Sequence, residues 1–173
     1  MKTIGSAGAV AAILLGLALV PTAASAQEGF KCKPGETYVM NVMVSAHPYW
    51  VPVYQGFKQA AAAMGCEVLF SGTPDYDITK QIASFEQEVV KKPKGILLHP
   101  MQSDPFIEPI NRAIDSGISV TTFAADSPKS KRTAYITSDN VAEAKFAAEE
   151  IVKALGGKGE YAVLENPGQS NHD

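Results

Sequence analysis

The chain has 173 residues, 46% of them apolar and 19% charged, a composition that suits a folded globular domain and excludes a disordered tail. Its formal net charge of -3 is a poor match for nucleic acid or an anionic membrane surface, and neither is expected as a partner. A chain of this length suits one ordinary domain with a real core.

The first 26 residues read as an export leader. Lys2 supplies the positive start, Ala7 to Val20 is almost unbroken apolar sequence, and Ala24, Ser25 and Ala26 are the small residues that precede a cleavage point. A membrane anchor is the alternative, but a spanning helix needs roughly 20 apolar residues and Pro21 cuts this run short. Residues 1–26 are therefore expected to be a signal peptide, with the mature chain starting at Gln27 in the periplasm or cell envelope and no stable membrane insertion. Lys2 is the only charge in the leader, so processing moves the net charge from -3 to -4.

Two cysteines, Cys32 and Cys66, remain in the exported part, where conditions are oxidising. Cys32 lies just before the first strand and Cys66 opens the second, so both fall at the amino-terminal edge of a sheet. A Cys32–Cys66 disulfide is one reading; two separate thiols, one buried and inert, is the other.

Tyr38 to Ser45 is an apolar run of strand length, after which Val53, Phe57, Ala61 and Met64 recur at helical spacing up to Gly65, a left-handed cap. Val68 to Phe70 is a second strand, followed by the turn residues Gly72 to Asp75. Asp77 caps a helix with Ile78, Ile82, Phe85 and Val89 on one face. Pro93 closes it and Gly95 to Leu98 is the third strand. The next helix carries Ile107, Ile110 and Ile114 and stops at Gly117, with Pro109 either distorting its first turn or delaying its start. Ile118 to Phe123 is the fourth strand. The stretch Asp126 to Arg132 is polar and basic. A further unit then follows, with strand Ala134 to Thr137, a helix bearing Val141, Ala144, Ala148, Ile151 and Leu155, and strand Tyr161 to Leu164. Alternating strands and helices with doubly buried strands indicate a doubly wound parallel α/β sheet.

In such a sheet ligands bind outside the carboxyl ends of the strands. Four segments lie there: Ser45 to Trp50, Ser71 to Tyr76, His99 to Ser103 and Ala124 to Asp126. Aromatic rings beside hydroxyl, amide and carboxylate groups suit a sugar, since rings cover its C–H faces and polar groups hold its hydroxyls. The alternative is that Tyr49 and Trp50 pack as the first turn of a helix on the sheet. His47 and His99 lack a third ligand at fixed spacing, so no metal or cofactor is expected, and His99 is read as packing its ring with its nitrogens satisfied. No glycine-rich phosphate loop, nucleophile elbow or zinc-type histidine pair is present in the sequence, and Glu86, Glu88, Glu149 and Glu150 read as solvated helix faces, so no enzyme is expected.

The strand ending in Ser45 with His47, Pro48, Tyr49 and Trp50, the Gly95-Ile-Leu-Leu-His-Pro segment, Thr122-Phe123 ahead of Asp126-Ser-Pro-Lys-Ser-Lys-Arg132, and Thr137-Ser-Asp-Asn140 together carry a family likeness. The chain resembles the periplasmic substrate-binding proteins of ABC sugar importers, of the ribose-binding class, over the first half of their pattern. The resemblance implies two α/β lobes that close on a sugar by hinge motion, with a membrane permease as partner. It makes residues 27–137 lobe one, residues 138–173 the incomplete start of lobe two, and Ser138 to Asn140 the first hinge crossing. The implied ligand-binding residues are Ser45, His47, Tyr49 and Trp50, the last two by stacking. Family members often place an aspartate directly after the phenylalanine of the fourth strand; Ala124 stands there, and Asp126 is expected to grip sugar hydroxyls instead. A second-lobe arginine would fall past Asp173, leaving Gln169 and Asn171 as the nominated contacts of that lobe. An exported sensor lobe that presents a sugar or autoinducer to a receptor is the alternative within the binding class, and a secreted α/β hydrolase using His47 or His99 as base is the alternative outside it. A lone lobe with part of a second is expected to bind sugar weakly or not at all and to self-associate.

Overall fold

The computed structural model describes residues 30–164, so the expectations for residues 1–26, Gln169 and Asn171 lie outside the described residues. Among the described residues five strands and four α-helices follow one another, alternating except where β4 leads directly to β5: β1 (Thr37–Met43), α1 (Trp50–Met64), β2 (Glu67–Thr73), α2 (Ile78–Val90), β3 (Gly95–Leu98), α3 (Ile107–Asp115), β4 (Ser119–Phe123), β5 (Ala134–Ile136) and α4 (Asn140–Ala154). The strands form one wholly parallel sheet in the order β2-β1-β3-β4-β5. The order turns back between β1 and β3, which opens a crevice at their carboxyl ends.

The apolar run of β1 follows from burial on both faces. Val39 packs with Phe85 of α2 and Ile110 of α3, while Met40 and Val42 pack with Trp50, Val53 and Phe57 on the α1 side. Alternate residues of one strand thus serve two cores. The caps also obey their sequence signals: Gly65 ends α1 at φ 71°, and the Asp77 carboxylate accepts from the Lys80 N–H at 3.0 Å. Pro109 sits in the first turn of α3, where its missing N–H would have no helical partner, and a 3-10 turn, Asp104–Phe106, leads in.

Two elements differ from expectation. β2 runs on to Thr73 because Ser71, Gly72 and Thr73 keep pairing with Asn41, Val42 and Met43. Gly72 reads as a turn residue, yet its role is close approach, since a Cβ there would stand 2.1 Å from the Val42 carbonyl oxygen. Tyr161 to Leu164 forms no strand: these residues are exposed and no described strand lies beside them to complete a ladder. Cys32 and Cys66 form a disulfide, with Cα atoms 5.1 Å apart. It ties the segment before β1 to the start of edge strand β2, and the Cys32 N–H donates to the Met64 carbonyl at 3.0 Å alongside it.

Candidate functional site

The carboxyl ends of β1, β3 and β4 converge on an aromatic cluster. Trp50 is 6% exposed, and its indole N–H donates to the Met43 and Val44 carbonyls, 3.1 Å each, tying the first turn of α1 back to the end of β1. Its ring meets Tyr49 at 4.9 Å between centroids, His99 at 4.9 Å and Phe123 at 5.9 Å, all edge-to-face. Trp50 is therefore a wall of the site, against the expectation of an open stacking platform. Tyr49, 53% exposed, is the aromatic presented to solvent.

The rim before α1 is a tight turn. The His47 N–H donates to the Val44 carbonyl at 2.8 Å, and His47 Nδ1 accepts from the Tyr49 N–H at 3.1 Å, leaving an exposed imidazole fixed by its own backbone. Val44 sits at φ 51° and Ala124 at φ 57°. Each left-handed non-glycine residue costs on the order of 1–3 kcal/mol, and both lie at strand ends that flank the cluster. Ser45 is half-buried, its N–H on the Thr73 carbonyl at 2.8 Å, and with His47, Trp50, Val51, Tyr54 and Phe70 it lines a cavity of about 300 Å³.

His99, the first residue beyond β3, is 3% exposed and packs on Phe123 as well as Trp50. Burial pulls its pKa from 6.5 down to about 4, so the ring is neutral. The ring packs as expected, but Nδ1 is buried without a hydrogen-bond partner.

Asp126 lies further out, on the loop after β4, and its carboxylate is directed inward. Arg132 grips both oxygens, the Thr122 hydroxyl donates at 2.7 Å and the Ser127 N–H at 2.8 Å. Burial would raise this carboxyl, but the hydrogen bonds from Arg132, Thr122 and Ser127, with the guanidinium charge, outweigh it and hold the pKa below 3.8. Ser103 and Ser127 complete the knot by reciprocal bonds, Ser103 Oγ to the Asp126 carbonyl at 2.7 Å and Ser127 Oγ to the Ser103 carbonyl at 2.8 Å. In this geometry Asp126 anchors the loop, where it was expected to face a sugar.

A larger cavity, about 460 Å³, lies at the opposite, amino-terminal edge among Glu36, Glu88, Lys91, Lys92 and Lys94. It carries no aromatic residue and is remote from the crevice of the sheet. Among the described residues no group of three or more His, Cys, Asp or Glu is placed to hold a metal, and no helix is long and apolar enough to cross a membrane.

The periplasmic binding protein domain family matches residues 38–173. The chain belongs to this family. It is 29% identical over 161 residues to the D-allose-binding periplasmic protein of Escherichia coli, covering 88% of this chain and 49% of that one. It is likewise 29% identical over 154 residues to a ribose import binding protein of Haemophilus influenzae, covering 89% and 49%. Among solved structures, a sugar-binding protein of a sugar ABC transporter from Bacillus halodurans superposes with a TM-score of 0.75 at 34% identity, over 79% of this chain and 47% of that one. The chain spans about half the length of the curated relatives it matches. Those relatives are named for binding and import, with no enzymatic activity in their names.

In this periplasmic binding protein domain the structure brings Ser45, His47, Tyr49 and Trp50 together and adds His99 and Phe123 to them. Sequence reasoning missed three supports: the Arg132 partner of Asp126, the Ser103–Ser127 exchange, and Gln81 on α2, whose amide donates to the His99 carbonyl at 2.6 Å. Gln81 falls one position from Ile82 on the apolar face, three residues from Ile78 and four from Phe85, and that placement inside an apolar stripe was the available signal.

Proposed function

We propose that this domain is the first lobe of an exported sugar-binding protein, residues 27–137, whose carboxyl edge takes one face of a sugar and whose closed form is presented to an ABC permease. The carrying observation is the juxtaposition of Tyr49, backed by Trp50, with the polar rim of Ser45 and His47 at the β1/β3 crevice. Tyr49 supplies the exposed ring for a C–H face, and Ser45 and His47 supply hydroxyl and imidazole groups for the sugar's edges. Trp50, Asp126 and Arg132 hold the rim in shape. The family relationship to proteins named for allose and ribose supports a pentose or hexose ligand. Residues 138–173 open a second lobe, residues 1–26 direct export, and binding proceeds without chemistry, by population of a closed form that a permease reads.

The test is calorimetric titration with D-allose and D-ribose of the chain and of its Tyr49→Ala variant. The reading expects saturable binding without product, weakened by about tenfold or more in the variant, since a lost stacking contact is worth on the order of 1 kcal/mol or more. Turnover of either sugar, or binding indifferent to Tyr49, would overturn it.

A further inference from the structure

The segment that carries His99 is not held by the sheet alone. Where the chain leaves β3, its backbone groups are met from two sides. The His99 N–H donates to the Asn41 carbonyl of β1 at 3.0 Å. From α2, Gln81 Nε2 donates to the His99 carbonyl at 2.6 Å, and Gln81 Oε1 faces the Met101 N–H at 3.5 Å. Gln81 is wholly buried, at 0% exposure, beside Ile82 and Phe85 of the same helix. A buried amide without partners is costly, and an apolar residue would pack here at less risk. A glutamine amide has something an apolar residue lacks: a donor and an acceptor in one plane, able to serve a carbonyl and an N–H two residues apart.

We infer that Gln81 is a positioning residue for ligand binding, acting through the His99–Met101 backbone to seat the His99 ring between Trp50 and Phe123 at the crevice. The inference rests on the assignment of the carboxyl edge as the sugar site. Without the amide, the His99 carbonyl and Met101 N–H lose their α2 partner and turn toward water, because buried backbone groups are rarely left unpaired. The imidazole then leaves the indole it packs against at 4.9 Å. Through that indole the displacement reaches the rim residues of α1.

Trp50 is the sole tryptophan, so its emission reports this contact directly. The experiment compares Gln81→Met, which keeps length but removes both hydrogen-bonding groups, with Gln81→Asn, a milder variant whose amide is too short to reach. The control is Ile118→Ala, a core substitution at the amino edge, 4% exposed in the parent chain. Each is read by Trp50 emission, by NMR titration of His99 and by affinity for D-allose and D-ribose. The expected result is a shifted emission, a His99 titration displaced toward its ordinary 6.5, and affinity weakened about tenfold in the Gln81 variants alone. Emission and titration unchanged in both Gln81 variants, or changed equally by Ile118→Ala, overturn the inference, as does wild-type affinity in a Gln81 variant when the parent binds. If the parent binds neither sugar, the sugar assignment fails, and emission and titration still decide whether Gln81 holds His99.

Discussion

Two ionisable side chains at the carboxyl edge respond to acid in different ranges. His99 is buried neutral, with its folded pKa near 4 against an ordinary 6.5. The unfolded chain therefore takes up a proton at this site before the folded one does, and stability falls as pH drops from 6.5 toward 4. That gap corresponds to about 3 kcal/mol. Asp126 has a depressed pKa, so its contribution is present above 3.8 and is lost only below it. Urea unfolding between pH 7 and 4 should show the His99 loss, and His99→Gln should flatten that range while leaving the steeper fall below it; an unchanged slope in the variant would contradict the assignment. The same scale separates wall from rim. Trp50→Ala should cost about 3–5 kcal/mol, as truncation of a buried aromatic does, whereas Tyr49→Ala should change stability by about 0.5 kcal/mol or less. Thermal melts of the two variants decide this. The residue types of the site were legible in the sequence because strand periodicity locates the carboxyl ends. Which rings face outward was not, because that depends on the Trp50 indole finding the Met43 and Val44 carbonyls across a left-handed turn.

At the level of elements, local signals carried the prediction well where one residue decides the outcome. Asp77 and Gly65 mark helix ends by capping, whereas Pro109 is taken up in the first turn of α3 without breaking it. They failed where a neighbour decides, as at Gly72, whose pairing with Val42 extends β2, and at Tyr161–Leu164, which has no neighbour among the described strands. The disulfide links two element ends 34 residues apart in sequence. Loop-closure entropy for a ring of that size is worth about 3–4 kcal/mol in the chain-entropy view. Reducing it, or replacing both cysteines with serine, should lower the urea midpoint accordingly, with the carboxyl edge intact because the bond lies at the opposite edge of the sheet. A midpoint unmoved by reductant would show that the link adds nothing beyond the packing of α1.

For the whole molecule, alternation of strands and helices made the parallel sheet legible, but the strand order was not, since it is set by which crossover skips over β1. The order β2-β1-β3-β4-β5 is what gathers residues from distant parts of the chain into one crevice. α4 stands apart from this core: it has no buried residue, and Val141, Ile151 and Leu155, which share one side of it, are 79%, 48% and 43% exposed. An apolar face of that kind promotes association, so sedimentation of the chain should show concentration-dependent oligomers that Ile151→Lys diminishes. The most direct test of the central claim is an NMR titration of the isotopically labelled chain with D-allose and D-ribose, which detects even millimolar affinity. The account predicts saturable shifts confined to the amides of Ser45 to Trp50, His99 to Ser103 and Phe123 to Asp126. Shifts centred on Lys91 to Lys94 at the opposite edge, or no saturable shift with either sugar, would contradict it.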